Sequence, residues 1–392
     1  MKKDKKNFNL NTLKEKTTVW ANTGVTVNLL GKRISFRPLK LAILFAIFLV
    51  AASLVIQLVL IPAHRPRTID LGMETGTEYG MQTITDGELL LYNNQRMKAL
   101  NEKGETVWET KISMSSPMIE HSGKYILAAD LGGNHGAALY RRGELLQEYQ
   151  LGKDIISAKV NEKGTAAFAT AADGYKGSVV VIDKKGKELF RWNSGDGYIM
   201  DLDISDDGHY LAVAQLSSAG SQADARIQFI DLYKKEVVKV AERPGTVIGE
   251  IRFSGNRLMT VSDSELCGFS GSGRLLYSVS FAGKRPGKYD ISSDDLLAFV
   301  TYDNLGNTVL ELYNTRGRLK GSYLAESPIS IMAVHGDTVV IAKQRDVLRI
   351  SSGGKKRKQM TCEHDIKALG VFGNQKTVLA AGSTEADLLW MR

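Results

Sequence analysis

Short apolar strands alternate with glycine-bearing turns from about residue 79 to the end of the chain. One phrase recurs: a glycine turn followed by a strand that carries a ring. It begins at Gly104, Gly143, Gly186, Gly273 and Gly317, and the ring follows at Trp108, Tyr149, Phe190 with Trp192, Tyr277 and Tyr323. The offset is four or six positions, and strand side chains alternate faces, so both offsets put the ring on one face. A fixed turn with a fixed ring, repeated, predicts one supersecondary unit stacked on itself.

A second turn series interleaves with the first, near Asp86-Gly87, Gly123, Gly164, Asp207-Gly208, Gly255, Asp294-Asp295, Gly336 and Gly373. Its spacing is about forty residues, the period of a four-stranded propeller blade. Eight such units predict an all-β fold, an eight-bladed β-propeller with four strands (A to D) per blade. The blades are expected to begin near Tyr79, Pro117, Asp154, Tyr198, Thr246, Pro286, Pro328 and Asp365. The eighth has room for only three strands. A blade with an open edge invites aggregation, and residues 65–71 (RPRTIDL) have no other partner, so they are expected to close that blade as its strand D.

Ahead of the repeats, Leu41–Ile61 is a run with no charged residue and only Ser53 and Gln57 polar. Its 21 residues, at ~1.5 Å each as a helix, match a hydrocarbon core of about 30 Å. It is too long for the apolar region of a cleaved signal peptide. Lys32, Arg33, Arg37 and Lys40 crowd its N-terminal flank, which predicts a single-pass transmembrane helix with a cytoplasmic N-terminus. The expected organisation is a basic cytoplasmic tail (1–40), the membrane helix (41–61) and an extracytoplasmic propeller (65–392). The tail is expected either on the inner membrane surface or as a solvated arm. Strand D of the last blade would start at the face bearing the A–B and C–D turns, a few residues past the helix. That face is expected to look at the lipid, and the face of the B–C and D–A loops to look away.

Charge changes the picture little. The formal net charge is +8, but residues 1–40 hold ten Lys/Arg against two Asp/Glu, so the excess belongs to the tail. The propeller region is balanced, and no nucleic-acid partner is expected. Cys267 and Cys362 fall in non-adjacent blades and are not expected to pair.

The glycine-plus-ring phrase, clearest at Gly104–Trp108 and Gly186–Trp192, resembles the pyrroloquinoline-quinone-like propeller repeat. With the N-terminal anchor, the whole looks like an uncharacterised family of membrane-anchored proteins of Gram-positive bacteria, chiefly clostridia. The resemblance implies a location in the cell envelope and no established activity. Quinone enzymes of this fold use adjacent cysteines, and this chain has none, so neither that nor another small-molecule cofactor is expected.

Other motifs read as turns. Asp203-Ile-Ser205-Asp-Asp207-Gly208 begins like a calcium loop, but Ala214 stands where the bidentate Glu belongs. An Asp-Gly hairpin is the expected reading. Ser352-Gly-Gly-Lys355 has serine–lysine nucleophile spacing but lies in a hairpin. The histidines show no metal spacing.

Two surfaces carry the functional expectations. The C–D turns are basic in most blades: Arg141 and Arg142, Lys184, Lys185 and Lys187, Lys234 and Lys235, Arg316 and Arg318, and the run Lys355, Lys356, Arg357, Lys358. They are expected to meet anionic headgroups. On the opposite face the B–C loops at 132–136, 173–177, 217–225 and 303–307 are the most irregular, and loops on a rigid scaffold are where binding sits. His135, Tyr175, Tyr302 and Asn304, with Lys284 and Arg285 from a D–A loop, are the expected ligand contacts. The expected function is a non-catalytic platform for a protein partner or wall polymer. A wall-glycan hydrolase or lyase with carboxylates in the central channel, or an envelope sensor relaying through the tail, are the alternatives.

Overall fold

The computed structural model describes residues 25–29, 32–36, 38–55, 66–72, 78–84, 87–133, 135–217, 223–291 and 296–392. The chain divides into two units, 1–65 and 66–392.

In the first unit, Val25–Leu29 pairs antiparallel with Lys32–Phe36, Val25 lying opposite Phe36. This hairpin stands where the sequence suggests only a surface or solvated arm. Alternating Val25, Val27 and Leu29 give it a strand period. The helix Pro38–Val55 opens on proline, which suits the first helical position because its missing N–H is an orphan there anyway. Its apolar side chains, Phe45, Ile47, Phe48 and Val50 among them, are exposed. Among the described residues no helix is long and apolar enough to cross a membrane. The expected span continues to Ile61, and 56–61 lie outside the described residues.

The second unit is the expected eight-bladed propeller: eight four-stranded antiparallel sheets. The inner strands, A, are Gly80–Thr83, Pro117–Ser122, Ile155–Val160, Tyr198–Ile204, Ile248–Ser254, Arg285–Ile291, Ile331–His335 and Ala368–Val371. The outer strands, D, are Thr106–Lys111, Glu144–Gln150, Glu188–Ser194, Glu236–Arg243, Leu275–Ser280, Leu319–Ala325, Lys356–Thr361 and, in blade eight, Arg67–Asp70. Each expected blade start lies within a few residues of an observed strand A. The closing strand pairs Arg67 with Leu388 and Asp70 with Glu385. Leu71 is fully buried beyond it, and the Thr68 hydroxyl donates to the buried Asp387 Oδ1 at 2.7 Å.

The middle strands B and C read as continuous apolar runs, such as Tyr125–Asp130 and Gly177–Ile182, because both faces are covered by neighbouring blades. The core is accordingly a ring of clusters, each between two blades.

The C–D glycines pack against the preceding blade, and in two blades what they meet is the ring of its strand D. Gly317 in blade six has φ +72, and a Cβ there would lie 2.4 Å from the Tyr277 ring of blade five. Gly143 stands over Trp108 of blade one in the same way. Gly354 adds a sixth copy at φ +76, with no ring after it. Blade four departs from the pattern: Lys235, at φ 60, takes the left-handed position. In blade eight the left-handed A–B residue is Gln375 (φ 57) rather than the expected Gly373, which packs on Gly87 of blade one. The expected turn at Asp294-Asp295 lies outside the described residues. Both cysteines are free and buried.

Candidate functional site

Inner strands leave one edge of backbone groups facing the channel. In this propeller, side chains of one strand A bind the backbone of the next. Ile251 N–H donates to Asp201 Oδ2 at 2.9 Å, and Phe253 N–H to Asp203 Oδ2 at 2.6 Å. Val334 N–H donates to Asp290 Oδ2 at 2.9 Å. Donors serve the carbonyls: Asn161 Nδ2 reaches Ser205 O at 3.2 Å, Arg252 Nη1 reaches Ile291 O at 3.2 Å, and Thr83 Oγ1 reaches Val371 O at 2.6 Å. Such pairing answers the cost of leaving buried backbone groups unbonded.

Thr83, Asp203, Arg252 and Asp290 among them line a channel cavity of about 660 Å³. Gly123, Glu162, Asp206 and Gly255 at its wall belong to the A–B turns, so it opens on that face. Lys159, 7% exposed, binds Glu120 at 2.6 Å, and Arg252 binds Glu250 at 3.0 Å. Asp201, Asp203 and Asp290 complete a cluster of five carboxylates around two cations. Burial raises the Asp203 carboxyl to about 7 against the pull of Lys159, and raises Asp290 to about 6 against that of Arg252. Burial also raises Glu120, but Lys159 and Arg252 outweigh it and hold Glu120 below its usual range. Burial opposes the charge on Lys159, yet Glu120 and Asp201 hold its ammonium above the usual value. Chemically this is a wall of charge whose members are bonded to one another or to backbone.

The expected ligand contacts form two groups about four blades apart. His135 and Tyr175 lie on blades two and three, where His135 Nδ1 is 3.1 Å from Asp154 Oδ1. Lys284, Arg285, Tyr302 and Asn304 belong to blade six and the loop before it. There Lys284 binds Glu311 at 2.6 Å, Arg285 pairs with Tyr302 across strands A and B, and Tyr302 packs against the blade six–seven core. The 303–307 loop is a tight turn, with the Asp303 carboxylate accepting from the Leu305 and Asn307 amides. Residues 218–222 lie outside the described residues.

Around His135 and Tyr175, sequence reasoning missed Leu131, Ile156, Tyr198 and Met200. All are exposed, Tyr198 by 56% and Tyr175 by 52%, at the D–A and B–C ends of blades two to four. Lys176 Nζ stands 4.7 Å from the Tyr198 ring centroid. The signal was available: Tyr198 and Met200 alternate with the buried Ile199 at the start of strand A in blade four, which puts them on the opposite face.

The calcium-like sequence folds as a hairpin. Asp207 Oδ1 accepts from the Ser205 hydroxyl and the His209 amide, while Asp203 is turned to Phe253. The Ser352–Lys355 pattern lies in the C–D hairpin of blade seven, where the Gly354 amide donates to Ser351 O. Among the described residues no group of three or more His, Cys, Asp or Glu side chains is placed to hold a metal ion.

Residues 68–388 match a family of unknown function, DUF5711. No curated protein matches the chain. Among solved structures it is similar to the computationally designed Ika8 protein, with 13% identity, TM-score 0.59, and 82% of this chain and 99% of that one covered. It is also similar to BamB from Moraxella catarrhalis, with 11% identity, TM-score 0.51, and 83% and 98% covered. The C-terminal WD40 domain of Sif2 matches at 12% identity, TM-score 0.59, with 83% and 98% covered. At these identities the likeness is one of fold.

Proposed function

Since the chain belongs to the DUF5711 family of unknown function, we propose from its own surfaces that it is a non-catalytic platform, anchored in a bacterial envelope membrane by a helix over 41–61, that holds a protein partner. The exposed apolar and aromatic side chains of blades two to four carry this reading. Leu131, Ile156, Tyr175, Tyr198 and Met200 share one face of a rigid scaffold, and apolar surface gathered in this way marks protein contacts. A wall polymer is a second class of ligand for the same face. The anchor is supported by the helix Pro38–Val55 with apolar side chains exposed along it, and by the apolar run continuing to Ile61.

The test is co-purification from membranes with partners identified. A partner retained by the wild type and lost by Tyr175→Ser with Tyr198→Ser supports the platform. A partner set unchanged by both substitutions counts against this face. Carbonate washing of membranes tests the anchor, and release of the full chain rejects it.

The channel carboxylates favour a second reading, a glycan hydrolase or lyase, because Asp203 is raised to about 7, a value suited to general acid–base work. Its carboxylate already accepts from the Ile204 and Phe253 amides, which explains its burial without chemistry. Hydrolysis of wall glycan by wild type and not by Asp203→Asn would establish the enzyme.

A further inference from the structure

Six consecutive blades place an aliphatic side chain at the first or second position of strand D, just past the C–D turn: Val107, Leu145, Leu189, Val237, Leu275 and Leu319. All six are exposed, Leu145 and Leu319 by 51% and 53%. Outer edges of β-proteins are ordinarily blunted with charge. Here the cations stand in the turns themselves, with a glutamate (Glu144, Glu188, Glu236) between turn and aliphatic in blades two to four. Two amphipathic rings share this rim. Tyr233, in the C–D turn of blade four, is 68% exposed, and Trp390, at the foot of strand C in blade eight, is 36% exposed. Lys358 Nζ donates to Trp390 O at 2.5 Å. Blade seven, which lacks the aliphatic, has Lys356 and Arg357 in its place, and blade eight has Arg67. The turns of blades six and seven, 314–320 and 351–358, contain no acidic residue.

Aliphatic side chains, flanking cations and Tyr and Trp on one rim are the composition of a surface that lies in a bilayer interface. We propose that the C–D rim docks on an anionic lipid bilayer. Its aliphatics, Tyr233 and Trp390 enter the headgroup–acyl boundary, and its cations bind headgroup phosphates. The proposal deepens the reading of the chain as a membrane protein but does not need the anchor. A soluble polyanion would engage the cations and gain nothing from the six aliphatics, so the lipid surface is the occupant that uses both.

All eight sheets, including the closing strand, lie within 66–392, so the ring is complete in that fragment and it can be tested without the helix. Its co-sedimentation with vesicles of phosphatidylglycerol and phosphatidylcholine, against phosphatidylcholine alone, reads the docking. We expect binding to the anionic vesicles and at least a tenfold loss of partitioning in Leu145→Ser, Leu189→Ser, Leu275→Ser, Leu319→Ser combined. The four positions are exposed, so the melting temperature should stay unchanged. Brominated lipid should quench tryptophan emission in the wild type and quench less in Trp390→Phe. Binding that survives the four serines, quenching unchanged in Trp390→Phe, or full competition by soluble polyphosphate overturns the proposal. Carbonate washing of the full chain reads the anchor separately, so failure of one does not mimic failure of the other.

Discussion

Asp203 shows how a single residue links packing to pH. Its carboxyl is raised to about 7 by burial, well above the ordinary carboxylate value that the unfolded chain has. Between those values the folded state holds the extra proton, so the Asp203 contribution to stability is complete below the ordinary carboxylate value and is lost as pH rises through about 7. Asp290, raised to about 6, adds loss in the lower part of that window. Glu120, held low, works the other way, contributing stability above its unfolded value that is lost as pH falls. We expect the wild-type melting temperature to fall between pH 4.5 and 7.5. Asp203→Asn, which keeps an acceptor for the Phe253 amide, should flatten the slope by a few degrees. A slope unchanged by the substitution would mean that Asp203 is ionised throughout. Lys159 makes the complementary point. Lys159→Met leaves the half-buried Glu120 without its partner and should cost about 1–3 kcal/mol in chemical denaturation. Lys159→Met with Glu120→Gln should recover most of that loss. Little of this was legible from the sequence. Glu120, Lys159, Asp203, Arg252 and Asp290 are set 38 to 49 positions from one to the next, and nothing local reveals that their strands meet at one wall.

At the scale of the turn and strand, the C–D glycine packs on the preceding blade, at Gly143 and Gly317 on the ring of its strand D. Gly317→Ala meets both a left-handed φ and the Tyr277 ring at 2.4 Å, whereas Gly306, at φ +83, has nothing within 4 Å of a Cβ. Gly306→Ala should cost about 1 kcal/mol from backbone strain alone. Gly317→Ala should cost clearly more, and equal losses on denaturant melting would refute the packing account. This packing is why blade number and boundaries could be read in advance: a backbone need and a steric need both fall on the glycine, so the spacing survives where the ring varies. The pattern fails where another residue meets the backbone need. Lys235 does so in blade four and Gln375 in blade eight, and neither carries a compositional mark. The ligand contacts were harder still. Irregular loops were found, but which sectors they occupy depends on the ring, and His135 with Tyr175 stands about four blades from Tyr302 with Asn304.

The whole molecule is held closed by a four-residue strand, Arg67–Asp70, paired with Glu385–Leu388. The strand's anchor is Leu71, fully buried among the blade eight and blade one side chains. Leu71→Ala should cost about 2–5 kcal/mol. Removing 66–72 should leave an open edge that aggregates, and a synthetic peptide of those residues added in trans should restore a sharp melting transition. A deletion that melts like the intact ring would show that the clasp is dispensable. The need for this strand was legible because a blade with three strands has an unsatisfied edge and only one unassigned segment could fill it.

The clasp also orders events during synthesis. Arg67 emerges from the ribosome more than three hundred residues before Leu388, so the earliest strand must wait, unmatched, until the latest one is made. A chain that stops before Glu385 has no mate for it, and the edge of the last blade stays open. The fold thus carries its own check on order: the ring locks only once Glu385–Leu388 has been made.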